Sequence, residues 1–183
     1  MNILNNIRRT LHKRSLNAAR QQRQLRRESM PFDQVKRVAL LFDSSEMGVQ
    51  EQTLSYANQL KKQGRQVELL GYVHSKEPVE NLPFPAFNRK DVDWLWRPKG
   101  EVVTRFMDAN TDLLIYLGAN ERPWLHYIAA LSHARFRVGL ANSSDDCYEL
   151  MIDLGTKKDW KEYLRQAEFF LQKMHATNEK PSV

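Results

Sequence analysis

Apolar residues run unbroken from Val38 to Phe42 and stop at Asp43, Ser44 and Ser45. Such a run, ended by polar turn residues, predicts a strand covered on both faces, as in the middle of a parallel sheet. Residues 36–42 are therefore read as the first strand, and the rest of the chain is organised around it. Val49, Thr53, Tyr56, Ala57 and Leu60 share one helical face, which predicts a helix over 47–63 closed by Gly64 in a left-handed cap. Val67, Leu69, Leu70, Tyr72 and Val73 mark a second strand over 66–73. Strand, helix and strand at this spacing make a βαβ unit, so the strands should be parallel with a right-handed crossover.

Pro78, Pro83, Pro85 and Pro98 exclude a long helix from 74–99. Phe84, Phe87, Trp94, Leu95 and Trp96 make the same segment too apolar for a disordered linker, so a packed connection is expected. A short helix over 99–109 turns Val102, Val103, Phe106 and Met107 inward, and 112–117 is a third strand ended by Gly118. Pro123 opens a helix with Leu125, Ile128, Ala129 and Ser132 on one face. Residues 136–140 and 148–154 supply a fourth and a fifth strand. Trp160, Tyr163, Leu164, Ala167, Phe170, Leu171 and Met174 then repeat at three and four along a last helix over 157–174. Alternating strands and helices predict an α/β domain over 31–176, doubly wound in the Rossmann or flavodoxin manner. Its mostly parallel five-stranded sheet should run in the order 2-1-3-4-5, with 177–183 a flexible tail.

Residues 2–29 lack Gly and Pro and are rich in Arg, Gln, Leu and Ala, which predicts a helical arm. Leu4, Ile7 and Leu11 give its first turns an apolar stripe that can dock. The second half reads as polar all round, ordered on binding, with Ser29, Met30 and Pro31 ending the helix. The arm over 1–30 holds Arg8, Arg9, Lys13, Arg14, Arg20, Arg23, Arg26 and Arg27 against one acid, Glu28. It therefore carries +7 of a chain whose net charge is +6, and the body is close to neutral at −1. A segregated charge of this kind points to a polyanionic partner.

Composition narrows the rest. The single cysteine, Cys147, allows no internal disulfide and fits a reducing compartment. No apolar run reaches the length of a membrane span, and no secretory segment is visible. The five histidines have no metal-ligand spacing, and no cofactor motif is present. The doubly wound rule places a crevice at the ends of the first and third strands, where Asp43, Ser44 and Ser45 face Gly118, Ala119 and Asn120. Ser44 or Ser45 could hold a phosphate at the next helix N-terminus, or Asp43, Ser44 or Ser45 could simply cap that helix. The absence of glycine from this loop argues against a dinucleotide. Asp112 starts its strand and so belongs to the opposite edge from Asp43, whereas Asp153 lies at the same edge.

The segments KRVALLFD (36–43), LGYVHS (70–75), KDVDWLWRPKG (90–100), AALSHARFRVG (129–139) and LMIDL (150–154) together resemble an uncharacterised α/β family of Bacteroidetes-type bacteria. That resemblance implies a bacterial cytoplasm and brings no catalytic residue. Residues 112–117 with 129–139 also look like the acceptor-side half of heptosyltransferase-type glycosyltransferases, whose second nucleotide-binding domain is missing here. The sequence thus favours a non-enzymatic, cytoplasmic protein whose Arg-rich arm holds RNA, ribosomal RNA above all, since arginine forks onto phosphates and stacks on bases. A protein partner, an organellar transit role and a membrane-surface helix compete for the arm. A nucleotide or sugar-phosphate site at Asp43–Ser45, and a protein scaffold using the aromatics of 84–96, compete for the domain.

Overall fold

A computed structural model describes residues 3–23, 25–28, 30–76, 81–119, 122–141, 147–155 and 159–176. Its centre is β1 (Arg37–Asp43), buried from Val38 onward, flanked by β2 (Gln66–Val73) and β4 (Leu113–Leu117). β5 (Phe136–Leu140) and β6 (Leu150–Ile152) extend the sheet beyond β4. All pairings are parallel, and the five expected strands keep the expected order.

A sixth strand, β3 (Ala86–Asn88), adds to the edge beyond β2, so the full order is β3-β2-β1-β4-β5-β6. Three residues are too few to show a period, and the preceding prolines read as loop. Gly71 N–H nevertheless donates to the Pro85 carbonyl at 3.0 Å, which starts the pairing. β6 is also shorter than expected, spanning 150–152 rather than 148–154.

Alternate residues of the strands feed two cores. Val38, Leu40, Phe42, Leu113, Ile115 and Leu117 face α2 (Val49–Lys62) and α5 (Trp160–Ala176). Ala39, Leu41, Leu114 and Tyr116 face α3 (Glu101–Asp108) and α4 (Pro123–Leu131). α2 buries the five residues its pattern singled out. Gly64 follows it at φ 82°, and Arg65 N–H donates to the Leu60 carbonyl at 3.1 Å, which satisfies an otherwise orphaned helix-end carbonyl. α5 buries Trp160, Tyr163, Leu164, Ala167 and Leu171, whereas Phe170 and Met174, expected on the same face, are exposed.

The amino-terminal helix, α1 (Ile3–Gln22), differs most from expectation. It stops seven residues before Ser29, and 25–28 continue without helix. Its docked part is the second half: Leu16 is buried in the core shared with α4, and Ala19 packs against it. Of the stripe expected to dock, Leu4 and Ile7 are exposed and Leu11 is half-buried. The expected tail lies outside the described residues.

Candidate nucleic-acid interface

One side of α1 carries Arg8, His12, Ser15, Leu16 and Ala19 at spacings of three and four, which puts them on one face. His12 is 5% exposed and is the point where the helix is locked. Its Nδ1 lies 2.7 Å from the Leu95 carbonyl, which can only accept, so that nitrogen carries the proton. The ring meets Trp96 edge-on at 5.8 Å and leans on Tyr127 at the same distance. Arg8 lies one turn earlier, with its guanidinium 4.3 Å from the Trp96 ring and 5.9 Å from Trp94. Burial and the neighbouring Arg89 lower the Arg8 pKa, with Asp93 opposing them.

Beyond the helix two arginines turn inward. α4 has no basic residue in its last turn, so its terminal carbonyls need donors from elsewhere. Arg23 donates to the Leu131 carbonyl at 2.6 Å and to Asp108 at 2.5 Å. Arg27 donates to Ala134 at 2.6 Å, Ser132 at 3.0 Å and Ala130 at 3.3 Å. Arg137 adds bonds to Ala129 and Ala130 and pairs with Glu149. Burial, then the proximity of Arg137, brings the Arg27 pKa down to about 10, so it stays charged at neutral pH. These contacts explain why the helix ends at Gln22: the following residues must cross the end of α4.

The arm's cations therefore fall into three groups. Arg9, Lys13, Arg14 and Arg26 are exposed, Arg8 and Arg20 are half-buried, and Arg23 and Arg27 serve the fold. Sequence reading placed all eight in one class, because burial of an arginine against carbonyls leaves no mark on local pattern.

The loop that clasps α1 is built around Asp93. Val92 bridges Pro98, and Asp93 N–H donates to the Arg97 carbonyl at 3.0 Å. The Asp93 carboxylate accepts from Leu95 N–H at 2.8 Å, Arg97 N–H at 2.9 Å and Arg97 Nε at 2.8 Å. Burial pushes the Asp93 pKa up, but the bonds from Arg97 and Leu95 outweigh it and leave the acid below its usual range. Trp96 takes φ 60° and turns toward Arg8 and His12, while Trp94 at the tip is 60% exposed. Lys90, Arg97 and Lys99 are exposed around it.

A model of a family of unknown function, DUF6913, matches residues 8–174. The chain belongs to DUF6913. No curated protein and no solved structure matches it. The DUF6913 match begins at Arg8 and so takes in the docked part of α1 together with the whole sheet.

The crevice of this DUF6913 chain is occupied by its own side chains. Asp43 is fully buried and accepts from Arg122 Nε, from the Ser45 hydroxyl and from Ser45 N–H at 3.1 Å. Arg122 also reaches the Ser45 hydroxyl at 3.1 Å and lies 5.0 Å from the Tyr72 ring. Ser44 donates its hydroxyl to the Tyr72 carbonyl at 2.8 Å. The Glu46 carboxylate accepts from Ala119 N–H at 2.8 and 3.0 Å, the amide an anionic ligand would use at this edge. A Cβ on Gly118 would collide with the Tyr116 hydroxyl, so the edge of β4 is packed by its own tyrosine. Asn120 lies outside the described residues.

Neither sequence reading of Ser44 and Ser45 fits this geometry. α2 begins at Val49 after Gly48 at φ 76°, with no side-chain cap, so these serines neither cap the helix nor stand at its N-terminus. Asp43 closes a local turn instead. Arg122 and Glu46 went unread. Their one signal was position, since Arg122 precedes the helix-opening Pro123 just past β4. At the opposite edge Asp112 accepts from Lys36 and Arg37 N–H, each at 2.9 Å. Asp153, past the end of β6 on the same edge as Asp43, accepts from Gly155 N–H at 2.8 Å in a turn.

Proposed function

We propose that this DUF6913 chain is a non-enzymatic RNA-binding protein that holds ribosomal RNA through the exposed cations of α1. The observation that carries the proposal is the outer face of that helix. Arg9, Lys13 and Arg14 stay in solvent while His12 and Leu16 fix the helix to the domain. Cations on a rigid support bind phosphates without an ordering cost, and release of condensed counterions supplies the affinity. Lys90, Arg97 and Lys99 lie around the loop that Arg8 touches and extend the positive surface. The resemblance to a family of Bacteroidetes-type bacteria supports a bacterial cytoplasm as the site of action, where ribosomes are the abundant structured RNA.

A nucleotide or sugar-phosphate site at the crevice has weaker support. Its polar groups are already engaged: Asp43 pairs with Arg122, and the Glu46 carboxylate accepts from Ala119 N–H. The same holds for the likeness to half of a glycosyltransferase, which would use that edge.

The test is sedimentation of the tagged protein through a sucrose gradient. We expect it to travel with ribosomal particles, to return to the top after nuclease, and to be released by salt. A protein that sediments with particles regardless of nuclease refutes the proposal in favour of a protein partner, and one that never enters the gradient at low salt refutes it outright.

A further inference from the structure

The loop that clasps α1 presents one aromatic ring outward, and we infer that Trp94 is a stacking platform for an unpaired nucleobase. This rests on the RNA reading above and narrows it to single-stranded or looped RNA. Three observations carry it. First, Trp94 is kept out of the core while the other three tryptophans are not: Trp124 and Trp160 are 8% and 5% exposed, and Trp96 packs beneath Arg8. Second, the platform is preformed. The Val92–Pro98 bridge, the bonds to the Asp93 carboxylate and the left-handed Trp96 hold the loop that carries Trp94. Third, the ring sits among cations. Arg8 lies 5.9 Å from it, Arg97 and Lys99 follow it in sequence and are exposed, and Arg89 is near enough to depress the Arg8 pKa. The acid of the loop, Asp93, is itself mostly buried; it pairs with Arg97 at 2.8 Å and lies 3.9 Å from Lys99, and both cations keep exposed side chains.

An aromatic face beside several cations matches the alternation of base and phosphate in an extended strand. A base lies on the ring, and the phosphates on either side reach Arg97, Lys99 and the exposed cations of α1. Bases inside an A-form duplex are stacked on one another and cannot take that place. Every base has a π face, so the platform tolerates any sequence and selects for unpaired bases.

Equilibrium binding of a labelled oligouridine of about twelve nucleotides tests this. Four proteins are compared: wild type, Trp94→Ala, Trp94→Phe, and the combined Arg9→Ala, Lys13→Ala, Arg14→Ala variant. Trp94→Ala should weaken binding roughly 5- to 140-fold with the salt dependence unchanged. Trp94→Phe should retain most of the affinity, and duplex RNA of equal length should compete poorly. A Trp94→Ala protein that binds oligouridine like the wild type, while the combined variant loses it, overturns the stacking inference and leaves the RNA reading standing. Equal competition by duplex overturns the preference for unpaired bases. Failure of wild type to bind any RNA overturns both.

Discussion

Arginine has two different jobs in the amino-terminal segment, and its surroundings decide which. Arg27 donates to three carbonyls at the end of α4, while Arg9 faces solvent. Removing Arg27 leaves buried acceptors without donors, which costs about 1 to 3 kcal/mol. Arg27→Ala should therefore lower the urea midpoint clearly, whereas Arg9→Ala should stay within about 0.5 kcal/mol of wild type. Equal effects of the two substitutions would contradict this division. The aspartates show the same dependence on place. Asp43 was legible as the residue ending a buried strand at the ligand edge, but its partner Arg122, 79 positions away, could not be read from local pattern. Charge pairing across such a distance is set by topology, and only the folded chain brings the two together.

At the scale of elements, legibility followed the strength of the period. The buried face of α2 was readable because Val49, Thr53, Tyr56, Ala57 and Leu60 recur at helical spacing, although the helix spans Val49–Lys62 rather than 47–63. β1 and β4 were readable as apolar runs and β2 from Val67, Leu69, Leu70, Tyr72 and Val73, and their order followed from the alternation with helices. β3 was not, since Ala86, Phe87 and Asn88 are too short a stretch to alternate. α1 misled in a more instructive way. Leu4 and Ile7 of its visible apolar stripe are exposed, and its real anchor mixes one leucine with a histidine and an arginine held by tryptophans. A polar residue that is buried by aromatic partners far along the chain counts as solvent-facing in any hydropathy pattern. The docking has a consequence for truncation. A chain starting at residue 30 loses His12, Leu16, Arg23 and Arg27, and it uncovers Trp96 and Tyr127. Its urea midpoint should fall, and binding of a hydrophobic dye should rise. An unchanged midpoint would mean that α1 adds nothing to the stability of the sheet. For the same reason the arm's role in binding is tested by point substitutions rather than by deletion.

Over the whole molecule, charge and chemistry are kept apart. The first 30 residues hold +7 while the remainder is near balance. The edge of the sheet where doubly wound proteins take ligands is filled by Asp43, Ser45, Glu46 and Arg122 acting on one another and on Ala119. The basic outer surface of α1 and the Trp94 loop are left to meet solvent. The most direct measurement is the salt dependence of binding to purified ribosomal RNA, for wild type and for the combined Arg9→Ala, Lys13→Ala, Arg14→Ala variant. Each phosphate contact contributes about 0.7 to 0.9 to the slope of log K against log salt. The account predicts steep wild-type dependence and a slope shallower by about 2 to 3 in the variant, with a urea midpoint that moves less than that of Arg27→Ala. Identical slopes for the two proteins, or no binding by wild type at low salt, would contradict it.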